Sequence, residues 1–99
     1  MNTTEATFKM LELTSELAES KIHSLVVVSD GKDYLTNSSG TLGVLISCAA
    51  VAVSHIADKI MRELNEKSDD KVTHDEVVRE VLASTIPKAL KSIEFLKAN

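Results

Sequence analysis

The chain has 99 residues, of which 43% are hydrophobic, with 11 basic and 15 acidic side chains and a net charge of -4. That length holds one hydrophobic core and not two, so residues 1–99 are read as a single domain, and the apolar content is too high for a disordered chain. Trp is absent, with one Tyr and two Phe, so the core must be aliphatic and the stacking platforms of single-stranded nucleic-acid binders are missing.

From the N-terminus, Ala6, Met10, Leu13 and Leu17 recur at helical spacing while Glu5, Lys9, Glu12, Glu16 and Glu19 stay polar, which predicts an amphipathic helix. Asn2 followed three residues later by Glu5 has the form of a capping box at its start. The acids of this segment also differ from the basic, then apolar, pattern of a secretory signal, so a cytoplasmic protein is expected.

The stretch IHSLVVVSDGKDYLT follows. Three consecutive valines lose rotamer freedom in a helix and pack well in a strand, and Asp30-Gly31 suits a tight turn. The prediction is a short hairpin, Ile22–Val28 paired with Asp33–Thr36. The alternative is a helix continuing from Thr4 to Ser29, which would make the protein an all-α bundle. After it, TNSSG reads as a loop whose hydroxyls cap the next helix.

A second helix is predicted from Thr41 to Asn65. Its unbroken apolar run, Leu42 to Val53, is shorter than the roughly 20 residues that span a bilayer, and it lacks basic flanks and an aromatic belt. No membrane role is expected. A helix apolar almost all round belongs at the centre of a soluble fold. One of its stripes is small: Gly43, Ser47, Ala50, Ser54 and Ala57 form a seam along which another backbone can come close, whether another helix of the chain or the same helix of a second subunit. The opposite flank, Leu42, Ile46, Val53, Ile56 and Ile60, is large and aliphatic.

The polar stretch NEKSDDK leads to Thr73-His74-Asp75-Glu76, a second capping-box form. The last helix carries Val77, Val78, Val81 and Leu82, should kink or restart at Pro87, and continues with Leu90, Ile93 and Leu96 apolar. The whole is a helix-dominated α+β fold: an N-terminal amphipathic helix, a short hairpin, a buried central helix and a C-terminal helix kinked at Pro87.

The chemistry-bearing residues are sparse. Cys48 is the single cysteine, which excludes an intramolecular disulfide and a CxxC zinc pair. His55 lies seven residues further on, about 10.5 Å along a helix axis, beyond the reach of a nucleophile–base pair. Cys48 is therefore read as a small buried hydrophobe. His55 and Asp58 are spaced to meet on a helix surface, while His23 and His74 fall on other elements without ligand spacing, so no metal and no cofactor is expected. Ser38, Ser39, Gly40, Thr41 and Gly43 precede a helix start, where backbone N–H groups attract anions. They lack the Gly-Lys-Ser/Thr of a P-loop. Lys88, Lys91 and Lys97 are the nearest thing to a basic cluster and are better placed to complement a helix C-terminus than to displace counterions from nucleic acid. The edge strand with Val27, Tyr34 and Leu35, and the acids Glu63, Glu66, Asp69, Asp70, Asp75 and Glu76, are the candidate partner surfaces.

No pair of titratable groups is set by sequence to act together. The expectation is a non-enzymatic, homo-oligomeric protein–protein interaction module of the cytoplasm, with a small anionic ligand or nucleotide at Ser38–Gly43 as the alternative. In size, mild acidity and lack of a catalytic constellation it resembles accessory proteins of phages and mobile elements, inhibitors of bacterial defence systems included, a likeness of form alone.

Overall fold

A computed structural model describes residues 1–69 and 71–98, with side chains described up to Ser92 apart from Asp70. Its elements are α1 (Thr3–Glu19), β1 (Ser24–Ser29), β2 (Tyr34–Ser39), α2 (Leu42–Lys67) and α3 (His74–Ala98), the helix-dominated α+β arrangement expected. The chain divides into two compact units, Met1–Ala50 and Val51–Asn99, which are taken in turn.

In the first unit, α1 starts as its sequence dictates: Asn2 Oδ1 accepts the Glu5 N–H at 2.8 Å. It ends without a glycine. Lys21 takes the left-handed conformation, φ 59°, while the Lys21 N–H reaches Ala18 O and the Ile22 N–H reaches Leu17 O. These two bonds satisfy carbonyls that the last turn leaves unpaired. The buried face of α1 is rotated slightly from the predicted one. Met10 and Thr14 are buried, whereas Leu13 is 48% exposed. Thr14 is tolerated inside because its hydroxyl donates to the carbonyl of Met10 at 2.9 Å and accepts Asn37 Nδ2 at 2.6 Å, so that no polar group is stranded.

Asn37 belongs to the hairpin. Its strands are antiparallel, with Ser24 opposite Ser39, Val26 opposite Asn37 and Val28 opposite Leu35. The strands lie further along the chain than predicted, at 24–29 and 34–39, and Ser38 and Ser39 are strand residues and not loop. The reason is the turn. Asp30-Gly31 does not make a two-residue connection; the loop is four residues, 30–33, with Gly31 at φ 100°. Asp30 Oδ1 accepts the N–H groups of Lys32 and Asp33, each at 2.9 Å, while Ser29 Oγ accepts the Gly31 N–H and donates to Asp33 O. The two backbone bonds favour the ionised form and hold the Asp30 carboxyl below its ordinary value. One face of the hairpin lies under α1; on the other, Leu25, Val27 and Tyr34 are 39, 57 and 71% exposed.

In the second unit, a turn joins the C-terminal part of α2 to the start of α3 at His74. Asn65 holds that turn like a backbone mimic: Oδ1 accepts the Val72 N–H at 2.9 Å, and Nδ2 donates to Val72 O at 3.3 Å. Lys71 Nζ donates to the carbonyls of Asn65 and Ser68, a cation set against the negative end of α2. Thr73 caps α3, its Oγ1 accepting the Glu76 N–H at 3.2 Å, as the capping-box form predicts. The helix α3 runs through Pro87 as one element, so no restart occurs there. Ile93, Leu96 and Lys97 lie outside the residues whose side chains are described, as does Asp70.

The buried central helix is the main correction. In α2 only Ala57 is buried, at 0% exposure, while Leu42, Ile46 and Val51 are 79, 71 and 68% exposed. An all-round apolar helix requires cover on every side, and the chain's own elements supply it along one stripe.

Candidate functional site

The small-residue seam is where that cover lies, for part of its length. Ala57 is fully buried and Ser54 half-buried, and His74 at the start of α3 places its Nε2 3.3 Å from both the Ser54 carbonyl and the Ser54 hydroxyl. Asn65, further along the same face, holds Val72. His74 thus joins the start of α3 to α2 at Ser54, one helical turn from the buried Ala57. Gly43, Ser47 and Ala50, the earlier members of the stripe, are exposed.

Beside this contact the two helices part and leave an open groove of about 670 Å³. Ile56, Ile60 and Leu64 of α2 form one wall, Val77, Val81 and Thr85 of α3 the other, with Glu76, Arg79 and Glu80 on the rim. Its aliphatic walls are wet: Ile56, Ile60 and Leu64 are 48, 36 and 46% exposed. Arg79 is paired with Asp75 at 3.0 Å. Sequence reading recognised the large aliphatic flank of α2 but assigned it to the interior, because periodicity reports that a face is apolar and not what stands against it.

The anion-site residues Ser38, Ser39, Gly40, Thr41 and Gly43 fall at the junction of β2 with α2. Gly40 has φ 129°, and a Cβ there would stand 2.2 Å from His23 Nδ1, so both conformation and space demand glycine. The imidazole has a function of its own: His23 Nδ1 accepts the Thr41 N–H at 3.2 Å. One of the N–H groups that an anion would use is thus already taken by a side chain. Lys21 shares a shallow pocket with His23, Ser39 and Gly40.

The other candidates are scattered. Cys48 is half-buried and unpaired. His55 and Asp58 do not form the expected pair, since Asp58 binds Arg62 at 3.1 Å. Among the described residues no group of His, Cys, Asp and Glu is arranged to hold a metal ion. Ser24 is buried with its hydroxyl unpartnered among the described residues.

By length and composition α2 (Leu42–Lys67) is long and apolar enough to cross a membrane, its most apolar 18-residue window having a mean hydropathy of 1.6. No family model, curated protein or solved structure matches the chain.

Proposed function

We propose that the protein is a non-enzymatic interaction module that works as a homo-oligomer in the cytoplasm. The observation that supports this reading is how little of its apolar surface the chain covers by itself. Met10, Ala57 and Val77 are the buried apolar residues among those described, against exposed Phe8, Leu42, Ile46, Val51, Ile86 and Leu90 and others of their kind. The surface area makes the same point. The chain exposes 8041 Å². Two separate globules, each of half its mass, would together expose about 6600 Å² by the scaling that folded monomers follow. Large apolar side chains exposed in such number mark sites of association. The lone thiol, without a partner for a disulfide, suits a reducing compartment.

Sedimentation velocity at low micromolar concentration tests the reading. A dimer or larger species is expected, with a melting temperature that rises with protein concentration, because association that occurs only between folded chains stabilises them by mass action. A monomer whose melting temperature is the same at every concentration refutes it.

A further inference from the structure

The hairpin of the first unit is a two-stranded sheet, so each strand has a free edge, a row of N–H and C=O groups that an extended strand alone can pair in full. Beyond its ladder with β2, the backbone of Ser24–Ser29 makes no hydrogen bond among the described residues. Soluble proteins protect such an edge with a charged side chain, a proline, a bulge or a cover. The strand β1, Ser-Leu-Val-Val-Val-Ser, has none of these. It holds no charge and no proline, it pairs with β2 residue for residue, and Leu25, Val27 and Val28 are exposed. The edge of β2 is different, polar in side chain from Thr36 to Ser39. On the face away from α1, Leu25 stands opposite Ser38 and Val27 opposite Thr36, so the aliphatic residues of that face border the β1 edge.

Resting on the self-association reading above, we infer that the β1 strands of two copies pair antiparallel, edge to edge, about a two-fold axis normal to the sheet beside Val26 and Val27. One four-stranded sheet results, in the order β2-β1-β1-β2. The edge chemistry selects an extended strand as the occupant, and charge, side-chain fit and symmetry select a second β1. The segment before β1, residues 20–23, carries Lys21 and a net charge of +1 with His23 neutral, while the turn after it, residues 30–33, carries Asp30, Lys32 and Asp33 and a net charge of -1. Antiparallel pairing sets each end of the strand against its opposite; parallel pairing would set like against like. Between the ends the strand is neutral, so meeting itself opposes no like charges, and β-branched side chains pack well beside one another across strands. Leu25 and Val27 of both copies then lie together in the middle of the sheet. The two-fold axis reverses the strand and keeps both α1 helices on one face, so the two edges satisfy each other and the assembly closes, as an isologous dimer requires.

Val27→Lys in the full chain is the test, with Thr36→Lys as its control. The two residues stand opposite each other on the exposed face, so both variants place one charge on that face, the first beside the proposed interface and the second a strand away from it. Sedimentation equilibrium should show the association constant falling at least about tenfold in Val27→Lys, where the two-fold axis sets two lysines side by side. Thr36→Lys should associate as wild type does, and the circular dichroism of both should be unchanged. Association that Val27→Lys leaves intact overturns the β1 pairing while the oligomeric reading survives; a monomeric wild type removes both. Equal losses in the two variants assign the contact to the exposed face and not to its edge, and a loss confined to Thr36→Lys assigns it to β2; each overturns the pairing. Cross-linking with a short bismaleimide in a Cys48→Ser background decides the matter without a charge. Val27→Cys should link to its counterpart across one gap between strands, and Thr36→Cys should not, because its two copies lie three gaps apart, about 14 Å. Absence of the Val27→Cys link in an associated protein overturns the β1 pairing.

Discussion

Enlarging one small residue at two points of the same stripe separates what the fold uses from what it leaves open. Ala57→Leu adds three carbons at a position with 0% exposure, between Ser54, which meets His74, and Asn65, which holds Val72. The added volume has to displace the atoms that cover Ala57 or force strained rotamers, at a cost of about 1–3 kcal/mol. For a domain of this size that corresponds to a fall in melting temperature of roughly 4–8 °C per kcal/mol. Ala50→Leu, two turns earlier and exposed, makes the same chemical change with nearly the same helix propensity and should stay within about 0.5 kcal/mol of wild type. Urea denaturation followed by far-ultraviolet circular dichroism, at matched concentrations so that association contributes equally, compares the two. Equal effects at 57 and 50, in either direction, would show that the burial of Ala57 does not measure close packing, and the account of the seam would fail.

Four further changes bear on single contacts. Asn65→Ala removes both bonds to the Val72 backbone and should destabilise by about 1–3 kcal/mol in the same assay, with Asn65→Asp, which keeps the acceptor, milder. Lys21→Gly relieves the left-handed backbone at φ 59° and should stabilise by about 0.5–1 kcal/mol; a loss of stability would contradict the cap described for α1. Ser24→Ala deletes a buried hydroxyl that has no partner among the described residues and is expected to be neutral or stabilising by thermal melt. The Asp30 carboxyl is held below its ordinary value by the Asp33 and Lys32 N–H groups, so the ionised form favours the folded turn. Its contribution is present above the unfolded value and is lost as pH falls through the folded one, and a carboxyl titration by ¹³C NMR with a midpoint at or above 3.8 would contradict it.

Legibility in the sequence follows the range of the forces involved. The starts of α1 and α3 could be read because a cap is closed within four residues: Asn2 with Glu5 and Thr73 with Glu76 carry their partners in the sequence itself. The end of α1 could not, since Lys21 occupies a conformation that sequence associates with Gly or Asn. The hairpin was legible as an element but not in register, because the Asp30 carboxylate, reaching Lys32 and Asp33, closes a longer loop than Asp-Gly alone implies. Leu13 and Thr14 exchange places for a long-range reason: Asn37, 23 residues away, supplies the bond that makes a buried threonine acceptable. The proposed anion site was legible only as composition. Of its five residues Ser38 and Ser39 end β2 and Gly43 lies within α2, so that Gly40 and Thr41 alone form the junction, and the imidazole of His23, which no local pattern connects to Thr41, occupies part of it.

The same distinction decides how the apolarity of α2 is to be taken. A run of aliphatic residues states that a surface is costly to leave in water, and three kinds of cover satisfy it: the chain's own elements, another chain, or lipid. The first reaches Ser54 and Ala57 but not Leu42 or Ile46. Between the other two, the charges of the helix discriminate where its apolar run does not. Lipid chains make no register with a helix, so a bilayer favours an apolar surface on all sides and tolerates any spacing within it. A partner helix demands a narrow stripe at intervals of three and four. On α2 the aliphatic side chains of Leu42–Val53 lie on every face, Val44 and Val51 opposite Leu42 and Ile46, and Asp58, Lys59, Arg62 and Glu63 follow. The charges of its later turns, and not the spacing of its apolar run, are what set this helix against a bilayer interior.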